Sequence, residues 1–206
     1  MIQIYTQIVN GVWLAIACDS QIVASSFADT EQKVLSNLLD KLPFNVSFQI
    51  LSFSSAAACV QDAFVLMANI LEGKEVTCNF NLGMDKLPKY TVMVLNAVMQ
   101  IPLGYVSTYG AVAKAVGGGS RAVGNVMAGN VFVPFVPCHR VVKSDFSLGG
   151  YGGGLKIKYH MLMKERRGYI ESKDFLLTGC CSGGGVLQVY PVEDTLNVAS
   201  KIFSQL

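Results

Sequence analysis

The sequence predicts an α+β protein: a small antiparallel sheet with helices at the N-terminus, then a mostly helical domain holding a helix-turn-helix and a candidate active-site cysteine. Three observations lead there. Residues 2–27 fall into three β-prone runs, "IQIYTQIV", "VWLAIAC" and "QIVASSF", split by Asn10-Gly11 and Asp19-Ser20. Later runs change to helical period. The stretch "VFVPFVPCHRVV" (131–142) is neither, and ends an apolar, proline-containing run in a thiol, an imidazole and a guanidinium.

Asn10-Gly11 suits a tight hairpin turn, so the three runs read as a meander. Asp29 or Thr30 can cap a helix running through Leu42. "SAAACVQDAFVLMANILEG" is helical in period, with Gly73 as its stop. "TCNFNLGMDKLPK" is a polar connection, and "KYTVMVLNAVMQI" resumes helical spacing. Three parts result: an N-terminal α+β domain over 1–82, a second domain over 83–172, and a C-terminal extension over 173–206. The extension reads as strand, glycine loop, strand and short helix, and its alternating apolar residues favour packing over catalysis.

"TYGAVAKAVGGGSRAVGNVMAGN" reads as two short helices joined by three glycines. Thr108 and Ser120 are suitable N-caps, and Gly117 to Gly119 supply the backbone freedom of a sharp corner. Most helix pairs of this kind only pack. Here the second helix carries Ala122, Gly124, Ala128 and Gly129 around Arg121, so it is nearly bare. The minor groove is only about 6 Å wide, and a bare helix with an arginine at its start suits that space.

Charge is uneven. Residues 1–90 carry 5 Lys/Arg against 8 Asp/Glu, residues 91–170 carry 9 against 2, and residues 171–206 carry 2 against 4, within a net +2. The middle block holds Lys114, Arg121, Arg140, Lys143, Lys156, Lys158, Lys164, Arg166 and Arg167. Such a block attracts a polyanion, or is a solvated basic face. No apolar run reaches the roughly 18–20 residues of a membrane span, and the N-terminus lacks a signal peptide's basic start. The expected location is the cytoplasm. Six scattered cysteines and two histidines indicate neither a disulfide framework nor a zinc site. Adjacent Cys180 and Cys181 are read as tail residues rather than a redox pair.

Pro134 and Pro137 donate no ladder hydrogen bonds, so they exclude a central strand and stiffen the turn at Cys138. His139, next in sequence, reaches the sulfur through a turn or a bridging water. An imidazole backed by a carboxylate withdraws the thiol proton and yields a nucleophilic thiolate. Alone, each residue reads as a buried small hydrophobe and a satisfied core histidine.

"PCHRVV" resembles the active-site motif of the O6-alkylguanine-DNA alkyltransferases, also called methylated-DNA-protein-cysteine methyltransferases. "IPLGYVSTYGAVAKAVG" is similar to that family's helix-turn-helix entry, "SRAVGNVMAGN" to its recognition helix, and "LGGYGGGLKIKYHMLMKE" to its binding loop and following helix. Together they span about residues 88–166. The resemblance implies Cys138 as alkyl acceptor, with His139 and Glu165 completing a Cys-water-His-Glu relay. It implies Tyr109 as proton donor to the leaving guanine, Asn130 as a buttress, and Arg121 as the residue replacing the flipped nucleotide. Thr108, Ser120, Ala122, Gly124 and Ala128 then line the DNA face, while Met127, Val141, Gly149, Tyr151 and Gly152 line the substrate pocket. The partner implied is double-stranded DNA with O6-alkylguanine, met through the minor groove by a monomer, with no cofactor and no metal. The glycines of "GGYGGG" lack the strand-glycine-helix context of a nucleotide site and read as a pocket wall. The sequence departs from the family at Arg166, where a glycine usually follows the relay glutamate, and at Gly150 and Gly152, where relatives often place asparagine and serine.

Three other readings are distinguishable. A non-catalytic alkylated-DNA-binding protein typically lacks the cysteine. A Cys-His thiol hydrolase turns over many times on an ester. A plain DNA-binding regulator survives loss of Cys138.

Overall fold

The structure, a computed structural model, describes all residues except 78–79, 180–184 and 204–206, and describes only the backbone of 202 and 203. The chain divides into two compact units. The first comprises Met1–Leu71, Glu75–Lys86 and Val131–Phe135; the second comprises Glu72–Lys74, Leu87–Asn130 and Val136–Leu206.

In the first unit, strands β1 (Ile2–Val9), β2 (Val12–Cys18) and β3 (Ile22–Ala28) form the expected meander. Asn10 and Gly11 both take positive φ, 51° and 78°, as a two-residue hairpin turn of the right twist demands. Helix α1 (Glu31–Leu39) starts at Thr30, whose hydroxyl accepts the Lys33 N–H at 3.3 Å. It ends before Leu42, because Lys41 and Leu42 bond only three residues back, to Leu38 and Leu39. Helix α2 (Ala58–Leu71) buries Val60, Ala63, Phe64, Met67 and Ile70 on one stripe.

The sheet order is β3-β2-β1-β4, and β4 (Phe48–Leu51), parallel to β1, was not legible in sequence. It is four residues long, and three of them are exposed, so it carries no alternation. Ile2, Ile4, Ala15, Ala17, Ala24 and Ala28 pack on Val34 and Leu38, with Val131 against the same cluster. The stretch leading to Cys138 is tied here. Ser25 N–H donates to the Val131 carbonyl at 2.8 Å and its hydroxyl to the Val133 carbonyl at 2.9 Å.

The second unit contains α3 (Lys89–Met99), β5 (Tyr105–Thr108), α4 (Tyr109–Val116), α5 (Ser120–Ala128), β6 (Val141–Val142), α6 (Leu155–Lys164), β7 (Lys173–Leu176), β8 (Val186–Pro191) and α7 (Val192–Phe203). It is less purely helical than expected, since β6, β5, β8 and β7 form a four-stranded sheet in that order. The reason is nonlocal: β5 and β6 are short, and the Ser107 hydroxyl finds its acceptor, Gln188 O, 81 residues away at 2.8 Å.

The extension has the expected strands and helix and belongs to this unit's core. Tyr105 and Val106 pair with Pro191 and Tyr190, and Val192, Leu196 and Ala199 join Val106, Val142, Leu148 and Leu162 in one apolar cluster. Its glycine loop, with Cys180 and Cys181, lies outside the described residues. Among the described residues no helix is long and apolar enough to cross a membrane.

Candidate active site

Strand β5 delivers Thr108 to the start of α4, where its hydroxyl accepts the Ala111 N–H at 3.0 Å. That cap makes Tyr109 the first helical residue and leaves it half-buried. Gly117 and Gly118 close the helix at φ of 86° and 98°. Gly118 lies over Tyr90 so closely that a Cβ there would stand 2.6 Å from the tyrosine hydroxyl, so this corner requires glycine. Ser120 is not the N-cap: Gly119 is, without a side-chain bond, and Ser120 is the first residue of α5. Gly119 takes the cap position in ordinary extended backbone, φ −124° and ψ 156°, which places Ser120 inside the helix.

Helix α5 buries Val123 and Met127 and turns Arg121 and Ala128 outward, with Ala122 and Gly124 half-exposed. A Cβ at Gly124 would meet nothing within 4 Å, so the outer face is as bare as its composition suggested. Beyond its end, Asn130 is buried and its amide donates to the Val136 carbonyl at 3.1 Å, two residues before Cys138.

Cys138, His139 and Arg140 form one 3-10 turn, fixed by Cys138 N–H to Val136 O at 2.8 Å and Arg140 N–H to Pro137 O at 2.9 Å. The thiol is in no disulfide and Cys138 is only 6% exposed; His139 and Glu165 are each 1% exposed. His139 Nε2 lies 2.9 Å from Glu165 Oε1, while its Nδ1 is buried without a protein hydrogen-bond partner. Glu165, at the C-cap of α6, is therefore no surface helix glutamate.

Arg140 grips the same carboxylate. Its Nε donates to Oε2 at 2.9 Å, Nη2 to Oε1 at 2.8 Å, and Nη1 to the Ile101 carbonyl at 2.7 Å. Two cations expected in the polyanion-attracting block are thus inward. Arg140 is spent on Glu165, and Lys158 is fully buried, with Nζ donating to Val141 O at 2.6 Å and to Gly150 O at 3.4 Å. Lys164 pairs with Glu72 at 3.0 Å, and Arg166 lies 3.7 Å from Glu193. Lys114, Arg121, Lys143 and Lys156 stay exposed.

These surroundings set the protonation states. Burial pushes the His139 imidazole below its ordinary value; Glu165 opposes this, and Arg140 and Lys158 push the same way as burial. Burial alone would raise the Glu165 carboxyl, but His139 and Arg140 outweigh it and hold it down at about 2. The site therefore rests as a neutral base on an ionised carboxylate. Burial, then the neighbouring Cys138 charge, raises the Tyr109 phenol, which keeps its proton.

Val141 is buried; Gly149, at φ 68°, faces Tyr109, whose Cε2 would stand 3.1 Å from a Cβ there. Tyr151 is half-buried, with its hydroxyl donating to the Met161 sulfur at 3.4 Å, and Gly152 is exposed. Sequence reasoning missed what Arg140 and Lys158 do. One signal was present: Lys158, Met161, Leu162 and Glu165 recur at i, i+3, i+4 and i+7, which puts two charges on an apolar face. Among the described residues no cluster of side chains could hold a metal ion.

A buried thiol, imidazole and carboxylate, in one unit with a pair of short helices of which the second is nearly bare, define a cysteine-centred domain. Residues 89–167 match the family described as 6-O-methylguanine DNA methyltransferase, DNA binding domain. The chain is 45% identical over 84 residues to the methylated-DNA-protein-cysteine methyltransferase of Pyrobaculum aerophilum, covering 41% of this chain and 54% of that protein. It is 38% identical over 96 residues to the one from Methanothermobacter thermautotrophicus, covering 46% and 54%. The chain thus spans about half the length of these curated relatives. In fold it is similar to the O6-methylguanine-DNA methyltransferase of Pyrococcus kodakaraensis, with a TM-score of 0.65 at 24% identity over 80% of this chain and 99% of that one. The Mycobacterium tuberculosis O6-methylguanine methyltransferase gives 0.60 at 24% identity over 81% and 93%. The α+β architecture is shared with these proteins.

Proposed function

We propose that this protein repairs DNA by moving the alkyl group of O6-alkylguanine from duplex DNA to Cys138, once per molecule. The observation that carries the reading is the 2.9 Å His139–Glu165 contact behind a buried cysteine, with His139 Nδ1 left to act as base. Residues 83–172 act as the DNA-binding and alkyl-transfer domain, meeting the minor groove as a monomer in the cytoplasm.

Cys138 is only 6% exposed and its thiol cannot reach a stacked base, so the damaged guanine must rotate out of the duplex. Arg121 fills the gap it leaves, offsetting part of the few kcal/mol that extrusion costs. His139 accepts the thiol proton through a water, and Glu165, locked by Arg140, stabilises the imidazolium. The thiolate attacks the alkyl carbon, the bond to O6 breaks, and Tyr109 protonates the departing ring. Asn130 fixes the backbone before the nucleophile, and backbone groups of Val141 and Gly152 read the guanine edge. The thioether is inert, so the protein is consumed.

Incubation with a duplex containing O6-methylguanine, followed by intact-mass measurement, tests this. One methyl is gained on Cys138 and none on Cys138→Ala. Arg121→Ala slows repair of the duplex but leaves the free base O6-benzylguanine reactive, since nothing needs extruding there. An unmodified protein, or turnover of an ester instead, removes the reading.

A further inference from the structure

The turn after β6 holds a side chain unsuited to its backbone. Residues 143–147 form a tight reversal, in which Phe146 N–H donates to the Lys143 carbonyl at 3.0 Å and Lys143 N–H to the Ser147 carbonyl at 3.0 Å. Asp145 Oδ1 accepts the Ser147 N–H at 3.0 Å and its hydroxyl at 2.7 Å. Within it Phe146 has φ 61°, a left-handed conformation that glycine or asparagine takes readily and a bulky side chain does not. Such an outlier persists only where surrounding packing overrules the local preference.

That packing comes from the C-terminal extension. The Phe146 ring meets Tyr190 of β8 edge-on, with centroids 5.0 Å apart and planes at 75°, and both rings lie against the cluster that contains Val106, Val142 and Leu148. Tyr190 is itself fixed: it pairs with Val106 across the sheet, and its hydroxyl donates to Gln188 Oε1 at 2.7 Å. It lies outside residues 89–167, which carry the family match. The turn leads directly to the site. Leu148 is buried in the same cluster, and Gly149 lies against Tyr109, where a Cβ would stand 3.1 Å from the ring and 3.2 Å from the hydroxyl.

We propose that Tyr190 is a positioning residue for the substrate pocket: through the Phe146 ring it holds the 143–149 turn in place, so that the Gly149 backbone stays against Tyr109. The proposal rests on the alkyl-transfer reading of Cys138 and Tyr109, and it makes the extension part of the pocket's support. Without the anchor, Phe146 relaxes out of the left-handed region and the Gly149 wall must be ordered again each time a guanine enters. The loss falls on binding of the base. The thiol is spared, because the Cys138 turn is fixed by its own bonds to Val136 and Pro137.

The test is single-turnover capture of the benzyl group from free O6-benzylguanine, followed by intact mass against base concentration, at a temperature where circular dichroism shows every variant folded. In Tyr190→Ala the half-saturating concentration rises about two- to tenfold, the bias that one edge-to-face ring pair supplies. Tyr190→Phe keeps the ring and matches the wild type, and the pH midpoint of iodoacetamide capture at Cys138 is the same in all three. Amides of 143–152 exchange faster in Tyr190→Ala, while those of α3 do not. Phe146→Gly suits φ 61° but removes the ring, so it weakens binding less in Tyr190→Ala than in the wild type. An unmoved half-saturating concentration in Tyr190→Ala overturns the proposal whatever happens to the thermal midpoint, and so do additive losses in the pair. Tyr190→Leu serves if Tyr190→Ala does not fold. If the wild type takes no alkyl group from either the base or the duplex, the repair function falls; the anchor then stands on faster exchange of 143–152 in Tyr190→Ala and falls with unchanged exchange.

Discussion

Glu165 shows how much depends on one carboxylate. Its two oxygens take three hydrogen bonds, from His139 and from two nitrogens of Arg140, in a setting that excludes solvent. Its folded value, about 2 against an ordinary 4.5, is depressed, so the stabilisation it contributes is present above about 4.5 and is lost as pH falls towards 2. The difference corresponds to at most about 3 kcal/mol. Urea unfolding at about pH 7 and about pH 3 should show the wild type losing a large part of that amount. Glu165→Gln should be weaker at neutral pH, because it leaves Arg140 without its counter-charge, but should lose much less on acidification. Its alkyl transfer should also slow, since the imidazolium is no longer stabilised. Equal acid sensitivity in the two proteins would mean that the carboxylate is not held ionised.

Individual elements explain which parts could be read from the sequence. Local signals sufficed where the partner lies nearby: Asn10-Gly11 for the hairpin, Thr108 for the cap, and Pro134 and Pro137 for the stiff approach to Cys138. Strands β4, β5 and β6 escaped because their partners are distant in sequence and the strands themselves are only two to four residues long. The thiol, imidazole, capping threonine and bare helix were visible as residues. Arg140 and Lys158 were visible only as charges, and burial decided that two of the nine cations face inward. Helix α5 offers a test at this scale. Gly124 has open space beside its Cα, so Gly124→Leu should fold normally and gain helix propensity of a few tenths to about 1 kcal/mol. The added bulk should nevertheless weaken duplex binding several-fold by fluorescence anisotropy, while iodoacetamide capture of Cys138 stays unchanged. Unaltered binding would place the duplex elsewhere.

At the scale of the whole molecule, the extension and the charge balance are decisive. The extension supplies β8, the direct partner of β5, and three residues of the apolar cluster behind the site. Removing residues 173–206 would strip β5 of that partner and expose Val106 and Leu162, so the shortened chain should aggregate or lose its cooperative thermal transition. The basic block gives the second expectation. Nine cations acting on phosphates would give a slope of about −8 for log affinity against log salt, at about −0.9 per phosphate. Arg140 and Lys158 are taken by the site, Lys164 and Arg166 sit beside glutamates, and Arg167 donates to backbone carbonyls. Lys114, Arg121, Lys143 and Lys156 remain, and four such contacts set a slope near −4. Binding to an unmodified duplex from about 50 to about 200 mM salt measures this number. A slope near −8 would require the paired cations to leave their partners on DNA, and a slope near zero would remove the polyanion from the reading of that surface.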